Sequence, residues 1–169
     1  MRKKWMFVAI ISLLLASCAS MKRSDVVDVL IDNSYSRNAA GFYEKFEDSS
    51  YIRIGYKNAI IGYLESLENY ITPGPVVLVD IGNNVSFNYH FNEDAMLFNK
   101  VCVLDQKPLY SEVMYSFKDE SFIVGADDCK FEVENQEPLI KEFHSKKEMI
   151  LTELERMNLT KKKLALLKE

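Results

Sequence analysis

Val85-Ser86-Phe87-Asn88-Tyr89-His90-Phe91-Asn92 sets large apolar side chains on every odd position and polar ones on every even position. A period of two places the two sets on opposite faces of a pleated strand, so this segment reads as a strand with one face in a core. Gly82-Asn83-Asn84 precede it and tolerate positive φ, which predicts a tight hairpin back to an apolar strand over Val76 to Asp80. Downstream, strands are expected at Leu97 to Leu104, Leu109 to Phe117, Ser121 to Gly125 and Cys129 to Glu134. The intervening Asp105-Gln106-Lys107-Pro108, Lys118-Asp119-Glu120 and Ala126-Asp127-Asp128 carry turn chemistry. Short sequential connections imply an antiparallel meander of about six strands.

Helical spacing flanks this block. Ser24 is placed to cap a helix over Asp25 to Asn33, with Asp25 and Asp28 near its positive end. A second short helix is expected across Ala39 to Phe46, weakened by Gly41. From Tyr51 to Ile71, Ile52, Tyr56, Ile60, Tyr63, Leu67 and Tyr70 recur at steps of three and four, predicting an amphipathic helix stopped by Thr72-Pro73-Gly74-Pro75. A long C-terminal helix from Pro138 carries the stripe Leu139, Phe143, Ile150, Leu154 and Met157. Leu164 and Leu167 resume that stripe after a break at Asn158-Leu159-Thr160. The expected fold is α+β: N-terminal helices, a meander, and a long C-terminal helix packed on the sheet.

The first residues read as a targeting segment. Arg2, Lys3 and Lys4 precede an apolar stretch from Trp5 to Leu15, and small residues lead to a cysteine in Leu15-Ala16-Ser17-Cys18. An uncleaved transmembrane anchor is the alternative; a spanning helix wants about 20 apolar residues, whereas the unbroken stretch has eleven and an interrupted count from Trp5 to Met21 reaches the lower limit of about 17. The segment resembles a bacterial lipoprotein signal, in which the lipobox cysteine is lipidated and becomes the new N-terminus. That resemblance implies a cleaved signal peptide at 1–17, a lipidated tether at 18–24 and a single α+β domain at 25–169. It also implies acylation at Cys18, the lipid bilayer as a partner, and a cell-envelope location. Ala19 and Ser20 follow the cysteine, and the lack of Asp there resembles outer-membrane sorting.

Charge narrows the partners. The chain holds 21 basic and 25 acidic residues for a net charge of −4; removing the signal's three cations leaves −7. Nucleic-acid binding needs basic patches that release counterions, so that class is set aside. The charge is uneven, because Leu139 to Glu169 carries +3 and Cys18 to Pro138 carries −10. One explanation is self-complementarity within the fold; the other is docking to an acidic partner or an anionic lipid surface.

With Cys18 assigned to the lipid, Cys102 and Cys129 form an even pair in an exported protein, and a disulfide is expected. Closing a loop of about 28 residues contributes roughly 3 to 4 kcal/mol in the chain-entropy view. Neither cysteine belongs to a CxxC and the chain has two histidines, so no metal site is expected.

Candidate sites are few. Asn88, His90 and Asn92 form a polar row able to hydrogen-bond a sugar or peptide, as a possible binding face. Asp80 with Asn83 and Asn84 lacks the ligand series of a calcium loop and reads as a turn. Tyr56, Tyr63 and Tyr70 stand at seven-residue spacing, as a core stripe or an aromatic contact surface. No GxSxG, HExxH or phosphate-cradling loop is present, no cofactor motif is found, and no catalytic residue is assigned. A nucleophile-base pair of His90 or His144 with Cys102 or Cys129 is the weakest candidate. The expectation is a membrane-tethered, non-catalytic binding or assembly module holding an envelope protein, of the secretion or pilus accessory type. An envelope inhibitor or exclusion factor is the alternative, followed by a thiol or hydrolytic enzyme.

Overall fold

A computed structural model describes residues 21–47, 50–58, 67, 71–129 and 136–168. Cys18, the signal and Tyr63 and Tyr70 lie outside these residues, as do positions 130–134 of the strand expected to start at Cys129; Cys129 itself sits in a turn.

The described residues run helix, eight strands, helices. Helix α1 (Arg23–Asp32) is followed by β1 (Ser36–Arg37), β2 (Tyr43–Glu47), β3 (Ser50–Lys57), β4 (Gly74–Asp80), β5 (Val85–His90), β6 (Ala95–Leu104), β7 (Lys107–Ser116) and β8 (Ser121–Asp127). Helices α2 (Gln136–Arg156) and α3 (Lys161–Leu164) and a 3₁₀ turn (Ala165–Leu167) close the chain. Every strand pairs antiparallel with its sequence neighbour, giving one eight-stranded meander in the order β1 to β8. The fold is mixed α and β, as expected, with more sheet than the expected six strands.

Two of the extra strands, β2 and β3, come from segments expected to be helical, and the short β1 lies between two expected helices. Ala39 to Phe46 forms no helix: Asn38 Oδ1 accepts from the N–H groups of Ala40 and Phe42, at 3.0 Å each, and Gly41 adopts φ 87°, which together turn the chain into β2. The helix expected from Tyr51 begins instead as β3. Ile52, Ile54 and Tyr56 alternate with Arg53 and Lys57, and Ile52 and Ile54 are β-branched; this period of two outweighs the three- and four-residue steps.

Alternation decides the core. Tyr43, Ile54, Val77, Tyr89, Met96, Tyr115 and Phe122 are successive cross-strand partners, so one row spans seven strands on one face. Val26 and Leu30 of α1, Phe143, Ile150 and Leu154 of α2, and Leu164 and Leu167 pack on that face. Phe143 stacks on Tyr115 with centroids 5.6 Å apart and meets Phe87 edge-on at 5.9 Å. The break expected at Asn158 to Thr160 is present. Asn158 has φ 53°, Leu159 N–H donates to Leu154 O at 2.8 Å, and Thr160 Oγ1 caps α3.

At the start, the cap differs from the expected one. Lys22 occupies the cap position and its N–H donates to the Asp25 carboxylate at 2.7 Å, so the third helical residue rather than Ser24 closes α1. Among the described residues no helix is long and apolar enough to cross a membrane.

The opposite face is partly covered. Leu67 and Ile71, from the connection between β3 and β4, pack on Leu97 and Met114. Leu67 N–H donates to the buried Glu112 carboxylate at 2.6 Å, which fastens that connection to β7.

Candidate functional site

The polar side of β5 faces into the protein rather than into water. Asn88 pairs across to Leu78 and Leu97, and His90 to Val76 and Ala95, so both stand on the face away from the helices. Phe42 folds over Gly55, whose missing Cβ leaves room for the ring. Phe42, Arg53, Lys57, Val76, Leu78, Asn88 and His90 line a cavity of about 160 Å³. Asn92 stands apart from it: past the end of β5, its amide donates to Pro73 O at 2.7 Å and braces the corner before β4. The structure thus joins Asn88 and His90 and separates Asn92.

Electrostatics define what this cavity can do. Arg53 is engaged by Glu44, with Nε and a terminal nitrogen at 2.7 and 2.6 Å from one carboxylate oxygen, and its guanidinium lies over Tyr51. His90 is 3 % exposed, and burial, followed by the Lys57 charge, pushes its pKa down to about 3. Its imidazole is therefore neutral, and Nε2 has no hydrogen-bond partner among the described residues. Such a weak base is mismatched to proton abstraction near neutral pH.

The expected disulfide is present. Cys102 and Cys129 are joined with Cα atoms 5.9 Å apart, which removes both thiols from the nucleophile-base arrangement. His144 instead sets its ring against Phe117 and Tyr115 at 5.2 and 6.0 Å. The Asp80 carboxylate accepts from Gly82 N–H at 2.8 Å, and Asn83 and Asn84 have φ of 55° and 60°, so this group serves the hairpin turn.

A second feature was not visible in the periodicity. Pairing of β6 with β5 stops at Lys100, and pairing of β7 with β8 starts at Ser111. Val101–Leu104 and Lys107–Tyr110 consequently form a two-stranded finger beyond the sheet, closed by a turn with φ of 51° and 64° at Asp105 and Gln106. Val103 and Leu104 are 69 % and 62 % exposed, and Val101 and Tyr110 are exposed beside them. At the base, the disulfide ties β6 to the chain leaving β8. Cys129 N–H donates to buried Ser111 Oγ at 3.0 Å, adding a second fastening. The one sequence signal was the unbroken apolar run Val101 to Leu104 ending in a turn, which left no polar face to assign.

Comparison with known proteins finds no matching family model, no similar curated protein and no similar solved structure.

Proposed function

We propose that this chain is a lipid-anchored, non-catalytic module that holds a partner protein at the bacterial cell envelope, as an accessory of a secretion or pilus assembly. The anchor is acylated Cys18 and the membrane is the outer one, in line with the lipoprotein-like signal. The observation that carries the binding role is the finger. Val103 and Leu104 stand in solvent on an element fastened at its base, and a preorganised apolar projection loses little freedom on binding. Apolar side chains held out in this way are characteristic of contact surfaces.

A second reading, an inhibitor or exclusion factor, draws on the same brace, because a rigid finger suits insertion into another protein's cleft. Its apolar tip favours assembly over the polar contacts expected of an inhibitor.

A photo-crosslinker at Gln106, exposed in the finger's turn, used in intact envelopes with the lipid retained, tests the binding role. One partner should be captured, and the Val103→Ser/Leu104→Ser variant should lower its capture about tenfold while folding normally. Recovery of no partner would overturn both binding readings. A captured enzyme that loses activity when bound would select the inhibitor. The anchor is tested separately by intact mass, which should show a chain starting at Cys18 and carrying acyl groups.

A further inference from the structure

The basic residues of the C-terminal thirty positions fall into two groups. On α2, Lys141, Lys146, Lys147 and Arg156 are each paired with an acid: Glu137, Glu142, Asp94 and Glu153, at 2.9, 3.1, 2.5 and 2.8 Å. Self-complementarity accounts for these. Beyond the break it accounts for little: none of Lys161, Lys162, Lys163 and Lys168 forms an ion pair with a described residue, although the Lys161 charge reaches Asp94. Lys161 and Lys163 direct Nζ to the carbonyls of Phe91 and Asn158, at 3.0 and 2.5 Å, and Lys168 lies over Tyr56. Lys162 is exposed and makes no contact of this kind with a described residue.

The location of these lysines gives the charge a direction. Helix α1 packs against α3 and the 3₁₀ turn, so the chain enters the domain beside them. A ten-residue helix is about 15 Å long, which places Arg23 within that reach of the cluster. Lys22, exposed at the entry, adds to the same pole. Asp28 and Asp32 of α1 temper the charge, while Asp25 is engaged by the Lys22 backbone. The finger lies at the other end: β6 starts at Ala95, just after the turn that receives Lys161, and reaches Leu104, about 30 Å away.

We propose that the pole formed by Lys161, Lys162, Lys163, Lys168 and Lys22 rests on anionic lipid headgroups, setting the finger away from the bilayer. The inference extends the lipid-anchor reading, since five residues from Cys18 to Arg23 span at most about 18 Å and hold this pole at the surface. The acidic body does not oppose the contact, because charges beyond a Debye length of about 8 Å are screened at physiological salt. Only the nearest pole is felt.

The test is run on protein starting at Ala19 and made without lipid; the core lies wholly between Val26 and Leu167, and circular dichroism verifies folding. It should bind vesicles of phosphatidylcholine mixed with phosphatidylglycerol, with little binding to phosphatidylcholine alone, and salt should weaken it. Lys162→Gln/Lys168→Gln should lower partitioning about 25-fold, at roughly fivefold per lysine. Lys141→Gln/Lys146→Gln, which removes two lysines already paired on α2, should leave it unchanged. Equal binding to both vesicles, an equal loss in the α2 variant, or preference for soluble polyglutamate would overturn the proposal. Lack of acylation at Cys18 would defeat the anchor reading alone, since this assay does not use it.

Discussion

His90 is a buried imidazole held neutral, and that has a sign. In the unfolded chain the group takes up a proton as pH falls past its ordinary value of 6.5, whereas the folded protein resists until about 3. The unfolded state therefore binds more protons across this interval, and stability present above pH 6.5 drains as pH falls toward 3. Asp94 and Glu153, whose pKa values lie below the ordinary carboxylate range, contribute stability that is lost only at lower pH, so the interval from 6.5 to about 4.5 belongs to His90. Urea unfolding should show stability declining there. His90→Leu should abolish that decline and add about 1 kcal/mol at pH 7, because the unpartnered Nε2 is removed. Glu112 behaves oppositely: Glu112→Ala should cost about 3 kcal/mol in the same measurement, since buried Leu67 N–H loses its acceptor. Alternation placed Asn88 and His90 on one face correctly, but nothing local told that Phe42, 46 and 48 residues earlier, would cover it.

At the level of elements, α2 is fastened to the sheet by more than its apolar stripe. Lys147 Nζ lies 2.5 Å from the Asp94 carboxylate, which also accepts from Tyr89 Oη at 2.6 Å, and sits 4.1 Å above the Phe117 ring. Lys147→Met should therefore lower thermal stability by about 1 to 2 kcal/mol, whereas Lys141→Met, at an exposed pair, should change it by less than about 0.5 kcal/mol. The stripe of α2 and its break at Asn158 were legible because period, left-handed residue and cap all agreed. Residues 43–57 were not, because two periods coincided. Tyr56 fits both the helical series from Ile52 and the alternating series through Ile54, and the choice rests on strand partners distant in sequence. The finger escaped for a related reason: an apolar run does not reveal whether neighbours flank it.

The molecule as a whole is closed by one covalent bond. Cys102→Ser/Cys129→Ser should lower stability by about 3 kcal/mol in thermal melts, in keeping with a loop spanning 27 positions. Amide exchange should quicken most in Cys102–Leu104 and Lys107–Leu109, which pair with each other and with no other strand. Strand order has a further consequence, for how the molecule is assembled. Each strand meets the one made just before it, so the sheet can lengthen hairpin by hairpin as the chain emerges, with little loop-closure entropy at most steps. The helix-side core cannot keep pace: Phe87, Tyr115 and Phe122 stay uncovered until Phe143 arrives, and Val26 and Leu30, made before the sheet, wait for Leu164 and Leu167. A chain cut before Gln136 would be a sheet with a bare aromatic face, and birth order makes Gln136–Leu167 the step that covers it.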